Sequence, residues 1–348
     1  MTQKPLFRAR NLVKHFPIHG GLLQREVARV RAVDDISFSL NPRETLGMVG
    51  ESGCGKSTTA KLVVRLLEPD SGNMELDGVP LSRGRAWDKD FRRRVQMVFQ
   101  NSFSSLNPRM PIGRSIAFAP TVHGASPETA MRKAMELLEI VGLDPSLYAA
   151  RYPHELSGGQ RQRVNIARAL AVNPELVILD EAVSALDKSV EAQVLNLLAD
   201  LRREFGLTYL FISHDLNVIK YLSDRVVVMY LGKIVESGPV DSVYGTPRHP
   251  YTKALLASMP SVVPGKRSQE PPLTGDPPNP IDPPSGCRFR TRCPHAEAVC
   301  AKIVPPLQEA AEAGPLAVDD THEVACLMHH SGSGHSRAPR GEPVRKAV

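Results

Sequence analysis

The stretch Gly50-Glu51-Ser52-Gly53-Cys54-Gly55-Lys56-Ser57 fits G-x-x-x-x-G-K-[ST], a spacing of residue types that can hold a phosphate chain. Its three glycines let the backbone curl until successive N–H groups face one anion. Lys56 would reach the β- and γ-phosphates, and the Ser57 hydroxyl would bind Mg²⁺. Such a loop needs a strand before it and a helix after it. Glu44–Val49 reads as a short apolar strand, and Thr58 begins a stretch to Leu67 with apolar residues at helical spacing. The positive end of that helix adds to the anion nest. In this context the loop predicts binding of a nucleoside triphosphate rather than a chance glycine-rich turn.

Further along, Leu176-Val177-Ile178-Leu179 is a continuous apolar run that ends in Asp180 and Glu181. Such a run suits a strand buried on both faces of a parallel sheet. Asp180 at its carboxyl end would hold Mg²⁺ directly or through water, and Glu181 would orient or deprotonate an attacking water. An acidic cap on the following helix is the plainer alternative. Another apolar strand, Thr208–Ile212, leads to His214, placed to contact the γ-phosphate from a neighbouring strand end. A third, Val95–Phe99, ends at Gln100, whose carbonyl oxygen could reach a metal or water but is uninformative alone. Leu156-Ser157-Gly158-Gly159-Gln160 precedes an amphipathic helix over Arg161–Leu170. With Ser157 as N-cap and glycines leaving the first N–H groups uncovered, this makes a second anion site. One chain rarely needs two γ-phosphate sites, so this one is expected to close on a nucleotide held by another subunit.

The chain has 348 residues, 42% hydrophobic and 23% charged, enough for about two domains with ordinary cores. No apolar run reaches the length of a bilayer span, and the N-terminus lacks a signal-peptide h-region, so neither a membrane span nor export is expected. The net charge of +6 is too mild to choose between lipid and nucleic acid. Phe7–Val13 and Val30–Leu40 read as antiparallel strands joined by a Pro17–Arg29 loop. Phe16 closes the first strand, where a ring could stack on adenine, though a lone aromatic is more often core. Asn73–Leu76 reads as a strand between turns. From Asn101 the pattern turns helical, with a helix through Ala130–Val141, and an inserted helical subdomain is expected over about 101–170. A hairpin (Val226–Met229, Lys233–Glu236) and a helix (Pro250–Ser258) complete a nucleotide-binding domain over 1–259. Pro260–Ser285 is proline-rich, as in a linker or wrapped loop. A C-terminal extension over 260–330 precedes a polar tail, 331–348, expected to be disordered.

Four of the five cysteines, Cys287, Cys293, Cys300 and Cys326, fall in the last quarter. In a cytosolic chain, clustering suggests a metal before disulfides. Four thiolates suit either zinc or a cubane iron–sulfur cluster. The gaps are wider than the tight pairs of structural zinc sites, and Pro294 after Cys293 has a parallel beside some ferredoxin cysteines. Four reduced cysteines packed as small apolar residues remain the third alternative.

The loop GESGCGKST, Gln100, LSGGQ, the VILDE strand end, Ser184-Ala185-Leu186-Asp187 and His214 stand in the order seen in ATP-binding cassette (ABC) ATPases. The resemblance covers roughly Leu6 to Ser258. It implies an α/β fold with a mixed core sheet, an antiparallel β subdomain and an inserted α-helical subdomain. It also implies ATP and Mg²⁺ as ligands, with Ser57, Gln100 and Asp180 around the ion. Glu181 becomes the catalytic base and His214 the γ-phosphate switch. Ser157, Gly158, Gly159 and Gln160 contact ATP on the opposite subunit, Ser184, Ala185, Leu186 and Asp187 lie at the dimer interface, and Phe16 stacks on adenine. A narrower set is similar to the oligopeptide and dipeptide permease ATPases: Phe103–Met110, Arg151–Glu155, Asp180–Ser184, His249–Leu256 and Cys287–Pro294. Ala182 stands where the wider family has proline and matches the F-type ATPases of these permeases. Asn101-Ser102 departs from the commoner aspartate-proline, which bears on the fit to the membrane partner. The resembling permease ATPases include members with a four-iron cluster at matching cysteines, which favours a [4Fe-4S] cluster over zinc.

The resemblance therefore implies the ATPase of a peptide importer, peripheral on the cytoplasmic side of the cell (inner) membrane. Its partners would be a second, related ATPase chain, two membrane-spanning permease subunits and, indirectly, a peptide-binding protein. An importer for nickel or another small solute is an alternative. A soluble cassette ATPase acting on nucleic acid or ribosomes would use the basic charge, but the doubled cassette or long coiled coil usual there is missing, so no nucleic-acid partner is expected. A metal-binding protein with a vestigial nucleotide site is disfavoured by intact Lys56, Asp180, Glu181 and His214.

Overall fold

The structure, a computed structural model, describes residues 4–21, 25–81, 89–101, 104–259, 275–309 and 321–339. In chain order its elements are β1 (Phe7–Gly20), β2 (Arg25–Leu40), β3 (Thr45–Val49), α1 (Lys56–Val63), β4 (Ser71–Leu76), β5 (Val79–Pro80), α2 (Lys89–Arg94) and β6 (Val95–Val98). The helical stretch holds α3 (Ile112–Val122), α4 (Pro127–Ile140), α5 (Pro145–Tyr148) and α6 (Gly158–Leu170). Then follow β7 (Leu176–Asp180), α7 (Lys188–Phe205), β8 (Thr208–Ile212), α8 (Leu216–Leu222), β9 (Arg225–Tyr230), β10 (Lys233–Pro239), α9 (Val240–Gly245) and α10 (Pro250–Ala257). Two short strands, β11 (Gln308–Glu309) and β12 (Glu323–Val324), belong to the C-terminal extension.

Strands β3, β7 and β8 are buried at every position, as their unbroken apolar sequences require. Alternation then divides their side chains between two cores. Val177, Leu179, Tyr209 and Phe211 pack with the helices, including Ile112 and Ile116 of α3, Leu137 and Leu138 of α4, and Val194 and Leu198 of α7. Leu176, Ile178, Leu210 and Ile212 point the other way, onto α1 and the antiparallel sheet through Leu62, Phe7 and Leu40. The core sheet has the order β11-β12-β10-β9-β3-β8-β7-β6, and the second sheet has the order β2-β1-β4-β5. Pairs among β6, β7, β8, β3 and β9 are parallel, and β10 onward is antiparallel. This is the mixed α/β sheet, antiparallel subdomain and helical insertion expected from sequence.

Two expectations are corrected. Within the expected Pro17–Arg29 loop, β1 continues to Gly20 and β2 begins at Arg25, pairing Phe16 with Val30, Pro17 with Arg29 and His19 with Glu26, with several register shifts. Beyond Val13, β1 has no β4 partner on its other side, and there a proline costs no ladder bond. Nor is the polar tail structureless from Ser331 onward. Over 331–339, the ring of buried His335 bonds the His295 carbonyl at 3.0 Å, and the Ser336 N–H donates to Glu297 at 3.1 Å. The first part of the proline-rich segment (260–274), Ser102 and Phe103, and residues 340–348 lie outside the described residues.

The extension continues the core sheet, since β12 pairs with β10 through Glu236–Val324 and Ser237–Glu323. Beneath that junction the fully buried Glu236 carboxylate meets His322 at 2.7 Å and accepts the N–H groups of Arg248 and His249 at 2.7 and 3.0 Å. Burial alone would raise the Glu236 carboxyl, but hydrogen bonds from His322 and the Arg248 N–H outweigh it and hold it low. His249 caps α10, its Nδ1 accepting the Tyr251 N–H at 3.1 Å.

Burial pushes His249 down to about 4, against a pull upward from Glu236 and with a further push down from His329. Between the ordinary value of 6.5 and about 4, the unfolded chain binds a proton that the folded chain refuses. That contribution to stability is therefore complete above the ordinary value and is lost as pH falls through the window. Urea unfolding followed at several pH values should show an equilibrium constant rising by up to about tenfold per pH unit. His249→Asn keeps an acceptor at the cap and cannot titrate, so its slope should be flatter. Equal slopes for the two proteins would exclude His249 as the source.

Candidate functional site

The parallel register brings four strand ends level. Met48 and Asp180 both stand beside Ile212 of β8, and Val98 stands beside Leu179 of β7. The segments that leave these ends therefore share one edge: the phosphate loop after β3, His214 after β8, Asp180 and Glu181 on β7, and Gln100 after β6.

Within the loop, Gly50 has φ 151° and Gly55 has φ 112°. A Cβ on Gly50 would lie 2.2 Å from the Met229 carbonyl oxygen, and one on Gly55 would lie 2.2 Å from that of Ala32. The strand and hairpin backbones thus press on the loop so closely that only glycine fits. Lys56 is buried, its Nζ donating to the carbonyls of Gly50 at 2.7 Å and Glu51 at 3.0 Å. Ser52, Gly53 and Cys54 complete the turn, and the Cys54 carbonyl accepts the Gly232 N–H at 2.8 Å. Ser57 and Thr58 lie in the first turn of α1, and the Ser57 hydroxyl donates to Asp180 Oδ1 at 3.0 Å.

Burial raises the Asp180 carboxyl, and the negative charge of Glu181 raises it further. A hydroxyl beside a buried carboxylate that resists ionisation suits a hard divalent cation, whose charge would repay the desolvation. Glu181 lies in the left-handed region at φ 48°, a conformation that costs a non-glycine residue about 1–2 kcal/mol. Its carboxylate accepts from Gln100 Nε2 at 2.6 Å and stands 3.5 Å from His214 Nδ1. Gln100, Glu181 and His214 therefore form one cluster beside the Ser57–Asp180 pair.

Other expected site residues stand apart from this cluster. Ser157 caps α6, accepting the Gln160 N–H at 3.3 Å, while Gln160 returns a bond to the Ser157 N–H and reaches Tyr148 at 3.0 Å. A Cβ on Gly159 would come 2.4 Å from Val190, so this glycine also lets α6 approach α7, whereas Gly158 has only Leu186 nearby at 3.6 Å. Ser184 donates to the Glu181 carbonyl at 3.0 Å, Ala185 and Leu186 follow in the same turn, and Asp187 caps α7 through the Val190 N–H at 2.9 Å. Phe16 is half-exposed on β1 beneath the Lys14 ammonium.

Sequence reading missed three residues that hold the loop from outside. The Glu51 N–H donates to Tyr251, and its carboxylate receives both Nη atoms of Arg292, one of which also reaches Tyr230. Tyr251 lay within a quoted motif, but nothing local to it signals such a contact.

Cys287, Cys293, Cys300 and Cys326 all line one small cavity of about 20 Å³. All four are unbridged. Burial raises the Cys287 thiol to about 11 and the Cys326 thiol to about 12, with the neighbouring thiols adding to both. Among the described residues no three His, Cys, Asp or Glu side chains are placed to hold a metal ion. Neither zinc nor an iron–sulfur cluster thus has a formed ligand shell, although four thiols around one cavity are donors of the kind soft metals take.

The sequence profile described as "ABC transporter" matches residues 33–184, and that of the oligopeptide/dipeptide transporter C-terminal region matches residues 235–300. The chain is 49% identical to the oligopeptide transport ATP-binding protein AppF of Bacillus subtilis, over 94% of this chain and 98% of the relative. It is 44% identical to the dipeptide transport ATP-binding protein DppF of Escherichia coli, over 88% and 92%. Among solved structures, the ATP-binding cassette MJ0796, a dimer bound to ADP and Pi, aligns with a TM-score of 0.59 at 28% identity, covering 67% of this chain and 98% of that one. The cbiO1 subunit from Clostridium perfringens shares the fold, with a TM-score of 0.60 at 23% identity over 70% and 92%.

Proposed function

The chain belongs to the ABC transporter ATPases, in their oligopeptide/dipeptide branch, and on that premise we propose that it powers the uptake of oligopeptides or dipeptides. As an ABC ATPase it binds and hydrolyses ATP. The observation that carries the peptide reading is the match of residues 235–300 to the C-terminal region of oligopeptide/dipeptide transporters. No described helix is long and apolar enough to cross a membrane, so cargo would pass through two separate permease subunits. The chain would sit on the cytoplasmic side of the cell (inner) membrane, receiving peptide indirectly from a binding protein. Its second ATPase is proposed to be a related chain.

The loop N–H groups and Lys56 would hold the phosphates, with Phe16 against the adenine. Ser57, Asp180 and Gln100 fit Mg²⁺, which when bound would neutralise charge on the β- and γ-phosphates. Glu181 would take a proton from the attacking water, while its hydrogen bond from Gln100 and the nearby His214 ring fix the carboxylate's direction. His214 would contact the γ-phosphate. The capped N-terminus of α6 shares no hydrogen bond with this chain's own loop among the described residues, which supports its closing on a partner's ATP.

For the cysteine cavity we infer an iron–sulfur cluster, supported by the four cysteines that share its lining with His249, His295, His335 and apolar residues. Its role would be to pin the extension. Protein purified without oxygen should be brown and contain iron and sulfide. A colourless anaerobic preparation, with Cys293→Ser changing neither metal content nor protease resistance of the extension, would remove the cluster.

Glu181→Gln keeps the shape of the carboxylate but cannot accept the proton. Multiple-turnover hydrolysis should fall about 10²–10⁴-fold with ATP binding intact. The measurement belongs in a complex whose partner site is already inactive, and near wild-type turnover there would take the base role from Glu181. Ser157→Arg should cut hydrolysis at the partner's site by a similar factor and leave ATP affinity of the isolated chain unchanged. A folded mutant chain that no longer binds ATP would show that Ser157 serves its own subunit's site instead.

A further inference from the structure

Glu51, the second residue of the phosphate loop, has every polar group engaged. Its N–H donates to the Tyr251 hydroxyl at 2.9 Å, and its carbonyl accepts from Lys56 at 3.0 Å. Its carboxylate receives a two-pronged bond from Arg292, at 2.9 and 3.1 Å. Arg292 is buried there, its side chain 6% exposed, with its guanidinium carbon 5.9 Å from the centre of the Tyr230 ring. It reaches this place from the far end of the chain on a compact turn, in which the Arg290 N–H bonds the Cys287 carbonyl at 3.1 Å and the Arg292 N–H bonds the Phe289 carbonyl at 2.9 Å. Phe289 drives the turn inward, packing on Tyr230 and Tyr251. Arg288 grips the other flank, bonded to the Leu231 carbonyl and the Asp34 carboxylate, next to Gly232, which holds Cys54.

A carboxylate on a loop built to collect phosphate groups opposes the ligand unless a cation cancels it. The planar fork of arginine suits that task, and burial strengthens the pairing. We propose that Arg292 is a positioning residue of the nucleotide site, neutralising and fixing Glu51 so that the Cys287–Cys293 turn of the extension sets the affinity of the phosphate loop for ATP. This rests on the ATP-binding reading above.

A purely mechanical latch and a charge-neutralising one behave differently on substitution. If only the tether matters, removing either partner loosens the loop, and removing both is no better. If charge matters, Arg292→Gln leaves an uncancelled carboxylate, and Glu51→Gln then takes the repulsion away. The test is titration of the full-length chain with a fluorescent ATP analogue, with thermal unfolding measured in parallel. Arg292→Gln should weaken binding about tenfold, less at high salt, and adding Glu51→Gln to it should recover most of that loss. Arg292→Lys keeps the charge and loses the fork, so it should bind more weakly than wild type but more tightly than Arg292→Gln. It also carries the test should Arg292→Gln fail to fold. Wild-type affinity in Arg292→Gln, no recovery in the double variant, or a tenfold loss in Arg292→Lys each overturns the proposal alone. A wild-type chain that binds no ATP overturns the underlying reading, and the proposal with it.

Discussion

Everything at this site depends on the parallel register of β3, β8, β7 and β6. Because Met48 and Asp180 share Ile212 as a neighbour, the phosphate loop and the acidic strand end cannot slide relative to each other without breaking the sheet. A slip of one residue would turn Val177 and Leu179 toward the antiparallel sheet and Ile178 toward the helices, exchanging two cores at once. The price of moving the catalytic edge is thus the unpacking of both faces. The same rigidity lets Glu181 keep a left-handed backbone: its N–H is held by the Ile212 carbonyl at 2.9 Å, and its own carbonyl by Ser184.

What could be read from sequence is what local pattern encodes. The phosphate loop, the apolar strands that end in Asp180 and Ile212, and the cap at Ser157 each announce themselves within a few residues. The β1–β2 hairpin was only half legible, because Pro17 and the glycines at its tip look like a loop when the one-sided pairing is unknown. The polar run from Ser331 misled for a related reason. Its composition predicts disorder, yet His335 and Ser336 find His295 and Glu297, roughly forty positions earlier in the chain. Composition reports what a segment can bury by itself and says nothing of a surface that another segment has prepared.

Arg292 is the extreme case. It meets Glu51 across 241 positions, and no spacing rule connects them. Its neighbours in sequence advertised the cysteines, while the aromatic residues that seat its turn, Tyr230 and Tyr251, come from two elements of the nucleotide-binding domain. Two of the extension's attachments differ in character, beside others such as the Arg31 N–H on the Pro280 carbonyl at 3.1 Å. At β12 it continues the sheet by backbone pairing over a buried carboxylate. At the Cys287–Cys293 turn it meets the phosphate loop by charge and ring packing.

Two such attachments have a consequence for how the domain can move. The sheet-edge junction fixes the extension to β10, and β10 is antiparallel to β9, whose Met229 carbonyl abuts Gly50 at the start of the loop. The arginine turn grips the same loop one residue later, at Glu51. A displacement of the extension relative to the sheet would load the β9–β10 hairpin and Glu51, together with the Arg288 and Pro280 contacts to β2. The hairpin is mostly buried and paired along its length apart from one register shift at Val235, whereas Glu51 belongs to a loop of three glycines. If strain follows the softer path, a shift of the Cys287–Cys293 turn would reach the phosphate loop before it reached the sheet.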